Sequence, residues 1–395
     1  MAESGRIEPI ILQTVIEILS AKLGTQVQIQ STEILSKDWR RNLIARIKLT
    51  DSQTFILKQS KIDDKSGKND SDALARFARD WAGLEFLSDA QETIVPKFYG
   101  GSIKHRFILT QDLGNHISLV DHLMGSDKDL AIDALARYVK LMAKFHGFSH
   151  KDIGNYKSSL TKIHPDINMW QDGFKDMPAQ IKKLLEKMNI ECSQDFETEM
   201  HNIFKMVKEP NPFTVLMHGD ICPDNIFDSP THQMKLIDFE WSYLGNALLD
   251  AVYLRMYMPT CWCVMSFPDI VVESCEKIYR EELIKYIPDA ADDKLYYEYY
   301  VAACAYTIFW RIMSIDYVLE KEMSGSDLEF TNHPLWRDEY NIQRPRQLMR
   351  LKAFIDIAQK HNQLPHTKLM AEKLLECLNL RWTDDKPMEL YPVFR

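Results

Sequence analysis

The segment that most constrains this chain is residues 214–250, TVLMHGDICPDNIFDSPTHQMKLIDFEWSYLGNALLD. Short apolar runs suited to strands alternate with polar groups at their ends. His218-Gly219-Asp220 closes the run TVLM, Asn225 precedes the apolar pair Ile226-Phe227, and Asp238 closes MKLI. Two short strands joined by a tight turn can carry Asn225 and Asp238 to one edge. The chemistry available is one carboxylate able to orient or deprotonate a hydroxyl, Asp220, and two oxygen ligands for a hard divalent cation, Asn225 and Asp238. Phosphoryl transfer asks for this set: an in-line nucleophile, a metal on the phosphates and a fixed lysine.

The rest of the chain divides by character. Residues 26–60 have strand patterning in VQIQSTEI, NLIARIKL and TFILKQ, with a turn at residues 50–53. After the polar stretch KIDDKSGKND, a helix presents Leu74, Phe77, Trp81, Leu84 and Leu87 on one face. KFYGGSI and RFILT are strands, broken by QDLGN. From about residue 128 the pattern becomes helical, beginning with LAIDALARYVKLMAKFHGF, and it stays mostly helical to the end, punctuated by Pro259, Pro268, Pro288 and Pro334. The expected fold is α+β with two lobes: a small N-terminal sheet lobe over residues 1–112 and a larger, mainly helical lobe over 113–395.

H-G-D-x-x-x-x-N followed by D-F-E resembles the aminoglycoside phosphotransferase and choline kinase branch of the protein kinase-like fold, where it is the counterpart of H-R-D-x-x-x-x-N and D-F-G. The likeness is strong over residues 26–260. It implies an ATP-dependent, magnesium-requiring transfer to the hydroxyl of a small molecule that is aminoglycoside-, amino-alcohol- or sugar-like. It implies Asp220 as the catalytic base, with His218 bracing its loop, and Asn225 and Asp238 as magnesium ligands. It also implies a strand lysine on the phosphates, which is Lys58 of TFILKQ, with an acidic partner on the next helix. Asp80, in Arg79-Asp80, is preferred although the family usually has Glu there. Glu85 is the rival, and the two stand about 140° apart on a helix, so both cannot face Lys58. RFILTQDLGNHISL resembles the hinge that binds adenine through backbone, with Gln111 offering its carbonyl and Leu113 its amide. No glycine-rich loop separates the first strands. SKDWRRN stands there instead, and Arg40 and Arg41 either meet phosphate or are simply exposed. DFE runs within a dozen residues into a helix expected over NALLDAVYLRMY, leaving no room for a peptide-docking segment, and Asp250 is read as holding the catalytic loop or capping that helix. A nucleotide-binding pseudoenzyme or scaffold, or a protein kinase, is the alternative. The first is disfavoured by the presence of all four machinery residues, the second by the missing segment.

Composition narrows partners rather than chemistry. The 395 residues carry 48 basic and 57 acidic side chains, net −9, which argues against a nucleic-acid binder. No run approaches the roughly 18 apolar residues of a membrane span. The N-terminus reads as an amphipathic helix through Ile10, Ile11, Val15, Ile16 and Leu19, not as a signal peptide. Seven scattered cysteines are expected to be reduced in a cytoplasmic protein. Cys261 and Cys263, one residue apart, form neither a redox CxxC nor a zinc knuckle. They and Trp262 are read as packing or as a wall near the acceptor, in a run DAVYLRMYMPTCWC similar to one in a bacterial subgroup of the family. YYEYYVAACAYTIFWRI is core, or an aromatic wall for a cationic amine. RPRQLMRLKAF and HTKLMAEKLLECLNL read as amphipathic helices with solvated basic faces.

Overall fold

The structure, a computed structural model, describes residues 7–37, 40–61, 67–88, 94–114, 116–151, 153–170, 176–313, 343–383 and 386–395. Asp38 and Trp39, residues 62–66 of KIDDKSGKND, Asn115 and Pro334 lie outside them. The chain forms two compact units, each discontinuous in sequence.

The first unit comprises Met1–Ile117, Ile153–Ile167 and Phe227–Ser242. Helix α1 (Pro9–Leu23) starts with proline, whose missing N–H costs nothing there, and stops at Gly24 in the left-handed region, φ 71°. Strands β1 (Ile29–Ile34), β2 (Asn42–Leu49) and β3 (Thr54–Ser60) precede helix α2 (Gly67–Ser88), followed by β4 (Phe98–Ser102) and β5 (Phe107–Gln111). The sheet order is β1-β2-β3-β5-β4, and every neighbouring pair is antiparallel. Strand alternation sends Ala45, Ile47, Leu49, Phe55 and Leu57 to one face, where they pack with Ile11, Val15 and Leu19 of α1. Each of those three α1 side chains contributes roughly 1.5–3 kcal/mol by leaving water. The same alternation turns Lys58 away from Leu57's face. Gly101 is required where β4 meets its neighbours: a Cβ there would lie 2.2 Å from the Phe107 carbonyl oxygen and 2.7 Å from the Trp81 ring.

The second unit comprises Ser118–Asp152, Asn168–Ile226 and Tyr243–Arg395. Helix α3 (Leu119–Met124) begins with a capping box between Ser118 and Asp121. Helix α4 (Lys128–Lys151) packs on the helix Asp269–Leu283 and on the strand Thr214–Met217, which pairs antiparallel with Tyr243–Asn246. The aromatic helix Asp293–Ile312 is core: Phe213 meets Tyr296, and Phe204 stacks on Phe309. Its Tyr296 and Tyr297 rings are already covered by a cation of the chain, Arg280, at 4.4 and 5.1 Å.

Two expectations fail here. The helix expected over residues 246–257 stops at Ala251, and the chain turns through Tyr257 and Met258, both at positive φ. In Gln343–His361 the basic residues are not all on a solvated face, because Arg346 and Arg350 are 2% and 1% exposed. One observation explains the other. Arg346 donates to the carbonyls of Tyr257, Met258 and Cys261, and Arg350 to those of Met256 and Tyr257. A helix would have satisfied those carbonyls internally; a buried turn needs outside donors.

Candidate active site

In the first unit, Lys58 lies in β3 opposite Ile44 and Ile108. Its Nζ is 2.7 Å from Asp80 Oδ2 and 2.5 Å from Asp238 Oδ1. The one-carbon shortening from Glu to Asp on α2 therefore still reaches the lysine. Asp80 is buried, and its other oxygen accepts the Phe239 N–H at 2.9 Å, so one carboxylate fixes both the strand lysine and the DFE segment. Gly83 makes that approach possible, since a Cβ there would lie 2.8 Å from Phe239 Cβ. Asp238 sits at φ 69°, a conformation aspartate tolerates better than most residues. Glu85 is engaged elsewhere, accepting from Trp81 Nε1 at 3.2 Å and from the Ser159 hydroxyl.

Burial alone would lower the Lys58 pKa, but Asp238, Asp80 and Glu240 overcome it and hold the ammonium well above its ordinary value. Glu240, the last residue of DFE, is buried, and burial with the neighbouring Asp238 pushes its carboxyl up against the pull of Lys58 and Arg41. Arg41 Nη2 is 2.9 Å from Glu240 Oε1, and Asn42 Nδ2 is 3.2 Å from Oε2. Arg41, left open between phosphate and solvent, is thus tied to Glu240.

Gln111 ends β5, donating its N–H to the Lys97 carbonyl at 2.8 Å, and the Leu113 carbonyl accepts from His116 at 3.2 Å. Between them Asp112 accepts from Arg46 Nε at 2.6 Å and from the Gly114 N–H at 2.9 Å. Burial opposes the Asp112 carboxylate, yet Arg46 and Gly114 outweigh it and hold its pKa below the ordinary value.

In the second unit, the loop after Thr214–Met217 carries Asp220, and a 3-10 turn, Pro223–Asn225, follows. The His218 ring is fully buried, and its Nδ1 accepts the Asp220 N–H at 3.3 Å. The His218 N–H donates to Asp250 Oδ2 at 3.2 Å, and the buried His146 meets the same oxygen at 3.1 Å while its other nitrogen meets Tyr279 Oη at 2.8 Å. Asp250 therefore holds the loop from beneath. Asn225 Nδ2 donates to the Asp220 carbonyl at 2.9 Å. Thr260 Oγ1 donates to Asp220 Oδ1 at 2.7 Å, and Tyr253 Oη lies 2.7 Å from Thr260 Oγ1. Burial, then the negative charge of Asp220, raises the Tyr253 pKa, so it is a hydroxyl donor. Sequence reading missed Thr260, Tyr253, Glu240 and Asp112. All four stood in runs singled out in the sequence, DFE, DAVYLRMYMPTCWC and QDLGN, without a task of their own, and nothing periodic marks them.

The structure thus gathers Lys58, Asp80 and Asp238 in one unit and Asp220 and Asn225 in the other. The sequence model described as the phosphotransferase enzyme family matches residues 37–264. That match spans more than half of the sequence, and the chain belongs to the phosphotransferase enzyme family. Among solved structures, a choline kinase from Streptococcus pneumoniae is 16% identical, covering 87% of this chain and 99% of its own, with TM-score 0.43. A putative aminoglycoside phosphotransferase from Ralstonia eutropha is 14% identical, with coverage of 92% and 98% and TM-score 0.46. A macrolide 2′-phosphotransferase from Brachybacterium faecium is 12% identical, with coverage of 78% and 94% and TM-score 0.41. Comparison with curated proteins finds no match. Among the described residues no helix is long and apolar enough to cross a membrane.

Proposed function

We propose that this chain transfers the γ-phosphate of ATP to a hydroxyl of a small molecule, with magnesium as cofactor. The observation that carries the reading is the Lys58 cluster: a lysine kept charged by two carboxylates, one of them the aspartate of DFE. We assign Asp220 as the group that orients the acceptor hydroxyl and takes its proton. The hydrogen bond from Thr260 leaves the Asp220 carboxylate a defined orientation for that task. Lys58 neutralises phosphate oxygens, steadied by Asp80. The backbone of Gln111 and Leu113 receives the adenine, a role that Asp112 supports by anchoring this stretch to Arg46 of β2.

Asn225 and Asp238 are assigned to the metal. The donor set fits, since a side-chain amide oxygen and a carboxylate are hard donors of the kind magnesium accepts. The Asn225 amide nitrogen is turned to the Asp220 carbonyl, which orients its oxygen the other way. Magnesium bound there would offset charge on the phosphates. We place the reaction in the cytoplasm, where ATP is supplied.

The test is nucleoside diphosphate release with ATP and magnesium against pooled aminoglycosides, amino alcohols, sugars and nucleosides. Acceptor-dependent release that falls by about 10²–10⁴-fold in Asp220→Ala supports the reading. Full activity in that variant would remove Asp220 as the base. Labelling of peptides in preference to every small-molecule pool would overturn the acceptor class.

A further inference from the structure

We propose that Cys222, Asp224, Cys261 and Cys263 form a binding site for a divalent cation of the zinc class. One ligand atom from each residue lies within 4.8 Å of all the others. The residues come as two pairs, Cys222-x-Asp224 and Cys261-x-Cys263, each pair separated by one residue, and both segments belong to the second unit. The three cysteines are buried.

The structure joins Cys222 to Cys261 by a disulfide, a departure from the reduced thiols expected of the sequence. A disulfide uses only two of the four groups. It leaves unexplained why the Cys263 sulfur sits 3.4 Å from that of Cys222 and 3.0 Å from that of Cys261, with a carboxylate beside them. A four-ligand cation site accounts for all four. Tetrahedral zinc with bonds of about 2.3 Å places its sulfurs roughly 3.8 Å apart, so opening the bond and a small spreading of the sulfurs converts the cluster into a coordination shell. Three thiolates with one carboxylate are soft enough to select zinc over magnesium. Four protein ligands close the shell, which makes it a structural site.

The surroundings fit such a centre. Trp262 Nε1 donates to Asp224 Oδ2 at 2.6 Å, which orients the carboxylate. The buried Arg346 guanidinium donates to the Cys261 carbonyl at 2.8 Å and brings positive charge to a site whose four anionic ligands exceed the charge of the cation. The centre pins residues 260–263 to the loop 220–225, the two segments joined by the Thr260–Asp220 hydrogen bond. Loading requires the disulfide to be reduced: a thiol reductant supplies two electrons and two protons, giving two thiols and its own disulfide. Each cysteine then releases its proton on binding the cation.

The test reads metal, not activity, so its outcome is separate from that of the phosphotransfer assay. The full chain, reduced with a thiol reagent, is loaded with zinc, desalted and analysed for metal per chain, with cobalt as spectroscopic substitute. The expected result is one equivalent of zinc and an intense thiolate-to-cobalt charge-transfer band from the wild-type protein. Cys263→Ser should lose the retained metal, and Cys377→Ser, outside the cluster, should keep it. Substoichiometric zinc in the reduced wild type would overturn the proposal, as would a cobalt spectrum without the band. So would equal retention by Cys263→Ser, or undiminished retention after the Cys222–Cys261 bond is re-formed.

Discussion

Lys58, 16% exposed in its side chain, and the buried Arg346 are cations that the two units neutralise in opposite ways. Lys58 is held by formal charge: Asp80 and Asp238 touch it, and Glu240 adds to the field. Arg346 is held by dipoles, the carbonyls of a turn that no helix satisfies. The consequences for the proton are opposite. The carboxylates raise the Lys58 pKa, whereas burial and then the like charge of Arg311 lower that of Arg346. A charge surrounded by excess carboxylate can be lent to an incoming anion. A guanidinium spread over three carbonyls serves as a brace, for which its planar fork suits it better than a lysine.

Breaking the brace should have the largest effect on stability. Arg346→Met removes three hydrogen bonds from a charged donor, about 1.5–3 kcal/mol each, although Tyr257 keeps Arg350 and Met258 keeps the Cys261 N–H as donors. Arg346→Lys should recover little, because a point charge cannot replace the fork. Urea unfolding measures both, and a lysine variant as stable as wild type would show that charge, not geometry, is what the turn needs. Lys58→Met leaves the buried Asp80 uncompensated and should cost about 3–5 kcal/mol, the penalty for removing one member of a buried pair. Here the double variant Lys58→Met/Asp80→Leu sharpens the contrast. Stability should return in part while phosphotransfer does not, and if activity returned with stability, the lysine would be a structural ion after all.

Thr260→Val is the next smaller step. It removes the donor to Asp220 while preserving shape, and the loss of one hydrogen bond to a charged group, about 1.5–3 kcal/mol, bounds the effect. The expected outcome is a lower kcat with nearly unchanged KM for nucleotide. A change confined to KM would place Thr260 in acceptor binding instead.

The same comparison explains what could be read in advance. β2 occupies the eight residues that alternation marked, and the lysine's face follows from period two. The spacing of HGD, Asn and DFE likewise compresses the polar set of 214–250 into one stretch. The Arg346 brace had no such signal. Its partners lie 85 to 89 residues away, and an arginine inside RPRQLMRLKAF looks like any solvated helix residue until the turn is seen. Cys222 is separated from Cys261 by 39 residues, so pair spacing around Cys261 and Cys263 alone hid the cluster. Regular elements announce their faces by periodicity; a turn built from distant donors does not.

The smallest expected effect concerns a third ionic arrangement, between the two extremes. Arg46, 30% exposed in its side chain, pairs with Asp112, which is 5% exposed, so solvent screens one partner and not the other. The pair should be worth about 1 kcal/mol or less, the upper range of partly exposed pairs. Because Arg46 holds the folded Asp112 pKa below its unfolded value of about 3.9, the folded state favours the carboxylate. The pair's stabilisation is therefore complete above about pH 4 and is lost as pH falls through the depressed folded value. Wild type and Asp112→Asn should differ in urea midpoint at neutral pH and converge in acid. A gap that widened below pH 4 would mean that the folded carboxyl prefers its proton, and the buried aspartate would then belong with the desolvated groups rather than with the paired ones.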